Sequence, residues 1–248
     1  MRLEGKTAIV TGGASGFGAG IVRKFLSEGA RVMIADINGD AAHDMATSLG
    51  AQALAQQVDV ADGPSVHDMA AVAADRLGPV DILVNNAGVT HLPTPLEAVT
   101  EEDFDRVFAV NMKSVYLTAR AFVPQMKTRG AGAILNVAST AGLSPRPNLN
   151  WYNASKGWMI TATKTMAVEL APSGVRVNAI CPVAGETPLL KSFMGEDTPE
   201  VRAKFLSTIP LGRFSTPQDM ANAACFLCSD EASMITGTAL EVDGGRCI

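Results

Sequence analysis

The sequence predicts an α/β fold, a doubly wound sandwich with one parallel sheet of about seven strands and helices on both faces. Three observations lead there. Short apolar runs rich in β-branched residues recur along the 248 residues, separated by helix-like segments of about 12–25 residues. Several of those segments end on glycine, as in Glu28-Gly29, Leu49-Gly50 and Leu77-Gly78, where glycine supplies the left-handed cap that stops a helix. The residues that follow the strand candidates read TGGASGFG, ADIN, DVAD, NNAGVTH, STAG and PVAGET. Small, polar, glycine-rich loops let a ligand approach backbone, and in open parallel sheets ligands bind outside the carboxyl ends of the strands.

The first strand candidate, TAIVT (7–11), runs straight into a glycine turn that opens a helix over 17–28. RVMIA (31–35) follows the helix stop at Gly29, and AQALAQQVDV (51–60) follows the stop at Gly50. VDILVN (80–85), AILNVA (133–138), VRVNAIC (175–181) and TALEVD (238–243) complete the set. Strands reached through helices pair in parallel by right-handed crossovers. Pro188, Pro199 and Pro210 punctuate 186–210, which is expected to form a mobile helical lid. No Pro/Ser-rich linker, internal repeat or low-complexity tract interrupts the pattern, so residues 1–248 are read as a single domain.

With 47% hydrophobic and 18% charged residues the chain is globular and can bury a sizeable core. Its net charge of −5 offers no general attraction to nucleic acid or to an acidic membrane surface. The start, MRLEGKTAIVTGG, lacks a signal-length apolar stretch, and no run approaches the roughly 18 apolar residues of a membrane span. A soluble, cytoplasmic protein is expected. Cys225 and Cys228 have redox-motif spacing but lie inside an apolar helical run, without a second ligand pair. They are read as helix core, and no metal site is expected. His43 and His67 border alanine-rich helical runs and are read as solvated.

The stretch 11-TGGASGFG-18 follows a strand and opens a helix. Gly12, Gly16 and Gly18 permit a tight turn and leave room for a pyrophosphate at the helix N-terminus, where free N–H groups and the helix dipole favour anions. Asp36, at the end of the second strand, can accept hydrogen bonds from adenosine ribose hydroxyls and would repel a 2′-phosphate. No lysine or arginine stands in 35-ADING-39 or at Ala14 and Ser15 to hold such a phosphate. This favours NAD over NADP and makes the fold Rossmann-like.

With TGGASGFG, 85-NNAG-88, Asn111, Ser139 and Tyr152-x-x-x-Lys156 in this order, the chain resembles the short-chain dehydrogenase/reductase family. The resemblance runs essentially full length, to 237-GTALEVDGG-245. It implies an NAD-dependent oxidoreductase that interconverts a secondary alcohol and a ketone, with Asn111, Ser139, Tyr152 and Lys156 as the catalytic residues. The implied cofactor contacts are Gly12, Ser15, Gly16, Phe17, Gly18, Asp36, Ile37, Asp59, Val60, Asn86, Ala87, Gly88, Tyr152, Lys156, Pro182 and Thr187. One stretch departs from the family pattern. In 181-CPVAGETPLL-190, Val183 stands where the family has glycine, and Gly185 comes two places later. Family members are usually homotetramers packed through helices, here around 103–128 and 151–171, and through the last strand.

Four residues are about one helical turn, so Tyr152 and Lys156 share a helix face. A free tyrosine has a pKa of about 10. A neighbouring ammonium, with the positive charge of oxidised nicotinamide, is expected to lower it, so that Tyr152 can take an alcohol proton and return it in ketone reduction. Ser139 would hydrogen-bond the substrate oxygen. The resemblance further implies that Lys156 reaches the nicotinamide ribose and that Asn111 holds a water linking it to solvent. The substrate pocket is expected to be framed by His91, Ser139, Ser144, Arg146, Asn148, Trp151, Glu186, Leu190, Phe193 and Met194, which suits a polyol or sugar as well as a cyclic or aryl alcohol. Two other readings compete: an NADPH-dependent ketoreductase of 3-oxoacyl thioesters, and a non-catalytic nucleotide-sensing module.

Overall fold

The computed structural model describes all of residues 1–248. Seven strands form one all-parallel sheet in the order β3-β2-β1-β4-β5-β6-β7. They are β1 (Thr7–Thr11), β2 (Arg31–Asp36), β3 (Ala53–Gln57), β4 (Ile82–Asn85), β5 (Gly132–Val137), β6 (Val175–Pro182) and β7 (Ala239–Val242). The helices are α1 (Gly16–Ser27), α2 (Gly39–Leu49), α3 (Gly63–Arg76), α4 (Glu101–Phe108), α5 (Ser114–Arg129), α6 (Asn150–Leu170), α7 (Leu190–Met194), α8 (Pro199–Leu206) and α9 (Pro217–Cys228). No helix is long and apolar enough to cross a membrane.

Successive strand residues face opposite sides of the sheet, so each strand feeds two cores. Val10 and Ile34 join Ile21, Phe25 and Ala224 on one side, with Cys225 and Cys228 buried among them. Ile9 and Met33 join Phe122, Met126 and Leu170 on the other. The four cysteines are free thiols. His43 and His67 are exposed.

Three strands are shorter than the sequence pattern; the last, expected at 238–243, spans only Ala239–Val242. The run 51–60 yields only Ala53–Gln57, because Asp59 turns the chain: its Oδ1 accepts from Ala61 N at 2.9 Å, and Asp62 then caps α3. At 80–85 the strand starts at Ile82, since the Asp81 carboxylate is taken up by Thr7 N at 2.9 Å. The lid segment holds two short helices, α7 and α8, over a small apolar cluster of Val183, Leu190, Met194, Ile209 and Phe214.

The strand order reverses between β1 and β4, which opens a crevice at their carboxyl ends. A buried ladder of amides and hydroxyls ties the central strands to the helices beneath. Asn85 donates to Asn136 (2.9 Å), Asn136 to Thr163 (2.8 Å), and Thr118 to Asn85 (2.9 Å). Every rung is paired, so the ladder fixes α5 and α6 against the sheet.

Candidate active site

The glycine loop between β1 and α1 is clamped by the loop that follows β4. Thr11 Oγ1 accepts from Asn86 N (3.0 Å) and Ala87 N (3.1 Å), and Asn86 Nδ2 donates to Thr11 O (2.8 Å) and Gly12 O (3.0 Å). So close an approach leaves no room for side chains. A Cβ on Gly12, whose φ is +60°, would stand 2.9 Å from Ala87 Cα, and one on Gly18 would stand 2.1 Å from Gly12 O. Asp36 is buried, and its two oxygens accept from Ala14 N (2.9 Å) and Asn38 N (3.0 Å). Each carboxylate oxygen keeps a further lone pair for a ligand.

These loops open onto one cleft of about 460 Å³. At the β2–β3 end it is lined by Asp36, Ile37, Asp59 and Val60, and in the middle by Gly12, Ser15, Gly16, Phe17, Asn86, Ala87 and Gly88. At the β5–β6 end stand Ser139, Tyr152, Lys156, Pro182 and Thr187. Of the expected cofactor contacts only Gly18 lies outside the lining, packed under the loop. The bare glycine cradle, the N-terminus of α1 and the Asp36 carboxylate fit a dinucleotide.

Tyr152 and Lys156, one turn apart on α6, are both 5% exposed. Lys156 Nζ donates to Val137 O at 2.9 Å and lies 5.9 Å from the centre of the Tyr152 ring. Burial pushes the Tyr152 phenol up to about 12 against the opposing hydrogen bond of Ser139, and it draws Lys156 down to about 8. Among the chain's own groups the expected lowering of Tyr152 is thus reversed, because desolvation outweighs the hydrogen bond from Ser139. Ser139 sits at the end of β5. Besides its hydrogen bond with Tyr152, its Oγ accepts from Ala141 N (3.1 Å) and makes a long 3.5 Å contact to Pro182 O.

Asn111 lies in a π-helical turn, Ala109–Lys113, between α4 and α5, fully buried and outside the cleft lining. Its Oδ1 accepts from Val89 N (2.9 Å), and its Nδ2 donates to Val89 O (2.9 Å) and Ser155 Oγ (3.0 Å). A Cβ on Gly88 would stand 3.4 Å from Asn111 Oδ1 and 3.5 Å from Lys156 Nζ, so amide and ammonium flank the same glycine.

The expected substrate residues divide. Ser139, Ser144, Arg146 and Phe193 line the cleft, with the Phe193 ring edge-on to Tyr152 at 5.0 Å. His91 does not: it is 1% exposed, with Nδ1 against Leu92 O at 2.8 Å. Trp151 turns away to donate to Leu96 O (3.2 Å) and meet Phe104 edge-on. Asn148 is exposed at φ 64°, with its carbonyl taken by Thr94 N. Glu186 is exposed and outside the lining. Leu190 and Met194 are buried in the cluster below the lid. Leu149, Asn153, Leu189 and Phe205 line the cleft without having been singled out in the sequence. Asn153 directly follows Tyr152, the one available signal.

The departing loop also lines the cleft. Val183 is buried in the lid cluster. Gly185 runs so close to α1 that a Cβ would stand 2.4 Å from Phe17 Cζ. The glycine is needed there to let backbone pass an aromatic ring.

Comparison with known proteins agrees with this geometry. A family model described as enoyl-(acyl carrier protein) reductase matches residues 12–246. The chain is similar to the 4-formylbenzenesulfonate dehydrogenase TsaC1/TsaC2 of Comamonas testosteroni, 51% identical and covering 100% of both chains. A solved 3-ketoacyl-(acyl-carrier-protein) reductase from Brucella melitensis complexed with NADH superposes with a TM-score of 0.95, at 49% identity, over 99% of this chain and 100% of that one. A 7α-hydroxysteroid dehydrogenase complexed with NADH and 7-oxo glycochenodeoxycholic acid gives 0.92 at 39% identity, over 98% and 95%. With its glycine cradle, paired tyrosine and lysine, and full-length similarity to these enzymes, the chain belongs to the short-chain dehydrogenase/reductase family and is an oxidoreductase acting on CH–OH groups.

Proposed function

We propose that the chain is an NAD-dependent dehydrogenase that interconverts a secondary alcohol and a ketone, with Tyr152 as general acid and base. The observation that carries this reading is the meeting of Tyr152, Ser139 and Lys156 at one end of a cleft whose other end carries Asp36. A nicotinamide dinucleotide held by the glycine loop, Asp36 and Lys156 would supply the hydride chemistry at the substrate carbon. Tyr152, protonated at neutral pH by its own surroundings, hands its proton to the carbonyl oxygen in reduction. In oxidation it receives that proton, the added positive charge of oxidised nicotinamide favouring phenolate. Ser139, hydrogen-bonded beside the Tyr152 phenol, donates to the oxygen on which charge develops. Lys156 holds positive charge beneath the phenol, while Asn111 acts through the backbone of Val89 as a positioning residue.

The preference for NAD rests on charge. Lys156 and Arg146 are the only cationic side chains lining the cleft, and neither lies by Asp36. Asp36→Ala is expected to shrink the ratio of NAD to NADP efficiency by about tenfold or more, the scale of one lost charge repulsion and its hydrogen bonds. An unchanged ratio would remove the ribose assignment. The rival reading, NADPH-dependent reduction of 3-oxoacyl thioesters, draws on the likeness to the Brucella reductase; faster turnover with NADPH than with NADH would favour it.

Residues 1–248 act in this reading as one catalytic domain, with α7 and α8 as its lid, and the enzyme is a homotetramer. Support for the assembly comes from apolar side chains left open on α4, α5 and α6: Phe104, Phe108, Tyr116, Trp158 and Val168, the last 77% exposed.

A further inference from the structure

Beyond Tyr152 the cleft is lined by Arg146, with Arg246 behind it outside the lining, and neither is ion-paired to a carboxylate of the chain. Arg146 lines the cleft, with its guanidinium 4.3 Å from the centre of the Phe205 ring. Arg246, from the C-terminal tail, stands behind the lining and donates to the lining residue Ser144 at Oγ (3.2 Å), and its Nε is buried without a partner. Neither takes part in any of the chain's seven ion pairs. Burial and then the charge of Arg246 pull the Arg146 guanidinium below its ordinary range. Two like charges near one another and partly removed from water cost free energy, which an anion on the cleft side of Arg146 would return. Glu186 is no counterion here: it is exposed, outside the lining, and acts on Arg202 instead.

The passage from Tyr152 to Arg146 is apolar and flat-sided. Phe193 stands against the Tyr152 ring, Phe205 lies under Arg146, and Leu149 and Leu189 fill the space between as lining. Asn153, 7% exposed, lines the cleft too. Its Nδ2 donates to Arg146 O at 2.7 Å and ties the arginine's backbone to α6, while its Oδ1 has no partner in the chain. That acceptor suits a substrate hydroxyl beside the anion.

From these contacts we propose that Arg146, backed by Arg246, forms an oxyanion subsite, and that the substrate is an aryl alcohol or aryl ketone whose ring bears a carboxylate or sulfonate. A planar guanidinium matches such an oxyanion with two parallel N–H donors, and the aromatic walls take the ring. This assignment rests on the alcohol–ketone reading of the same cleft.

The test is the ratio of kcat/KM for 4-(1-hydroxyethyl)benzoate over neutral 1-phenylethanol, measured with NAD. The wild type is expected to favour the carboxylate by about tenfold to a hundredfold, mostly through KM, as charge-assisted hydrogen bonds support. Arg146→Gln brings the ratio close to one and Arg246→Gln lowers it, whereas Arg23→Gln, an exposed charge on α1, retains it. A wild-type ratio near one, or a preference that survives both cleft variants, overturns the proposal. Calorimetry of 4-acetylbenzoate, 4-acetylbenzenesulfonate and acetophenone binding to the enzyme–NADH complex separates the two readings. Arg146-dependent selection of the anions without turnover keeps the subsite and removes the reaction. Turnover without charge selection keeps the reaction and removes the subsite. The stronger binder of the two anions decides between carboxylate and sulfonate.

Discussion

Tyr152 and Lys156 are both held away from water, and their titrations pull stability in opposite directions. Lys156 falls from 10.5 to about 8, so between those values the folded chain binds fewer protons than the unfolded one and stability rises with pH. Below pH 8 the cost of burying its charge is fully present. Tyr152 rises from 10.0 to about 12, so its contribution is lost with rising pH only across that higher window. The unfolding free energy of wild type relative to Lys156→Met is therefore expected to increase by about 3 kcal/mol from pH 8 to 10.5, at about 1.4 kcal/mol per pKa unit. Urea melts of both proteins across that range read it; a difference that stays flat would mean Lys156 is not buried as described. The helical spacing of this pair was legible in the sequence. The direction of the Tyr152 shift was not, because burial is a property of the packed fold. Neighbours on a helix point about 100° apart, so nothing in the order Trp151-Tyr152-Asn153 said that Asn153 faces the cleft and Trp151 turns to Phe104.

At the scale of elements, β-branched runs were enough to find every strand, and glycine stops to find the ends of α1, α2 and α3. The third strand was overextended because Val58 and Val60 look like strand residues. They are buried, but on a chain already turned by Asp59. The π-helical turn at Asn111 leaves no composition signal, since it depends on an amide bonded across to Val89. The junction of β1, α1 and the β4 loop has the least slack of any in the site. Gly18→Ala would force a methyl to 2.1 Å from Gly12 O and 2.6 Å from Asn86 Nδ2, both held by the clamp. A loss of about 1–3 kcal/mol, the usual cost of overpacking, is expected in chemical denaturation, together with weaker NADH binding. Unchanged stability and binding would show that the loop can move aside.

For the whole molecule, a parallel sheet of about seven strands with a ligand site at its carboxyl ends followed from alternation, whereas the strand order and its reversal came only with the structure, and the open faces of α4, α5 and α6 are what the proposed tetramer would cover. Sedimentation equilibrium of wild type is expected at four chain masses, with Phe108→Glu shifting it to smaller species. A wild-type monomer would leave Phe108 and Val168 unexplained as exposed apolar residues. Substrate choice also belongs to this scale, because the pocket draws Phe205 from the lid to stand beside α6, while Arg246 of the tail reaches the lining residue Ser144. The central claim is proton transfer by Tyr152 coupled to hydride transfer. It is tested most directly by NADH formation from a panel of secondary alcohols with wild type and Tyr152→Phe, alongside NADH binding to each by fluorescence. The account predicts a fall in kcat of about 10²–10⁴, the contribution of a positioned acid–base group, with NADH binding retained. Turnover near the wild-type rate in Tyr152→Phe would contradict it.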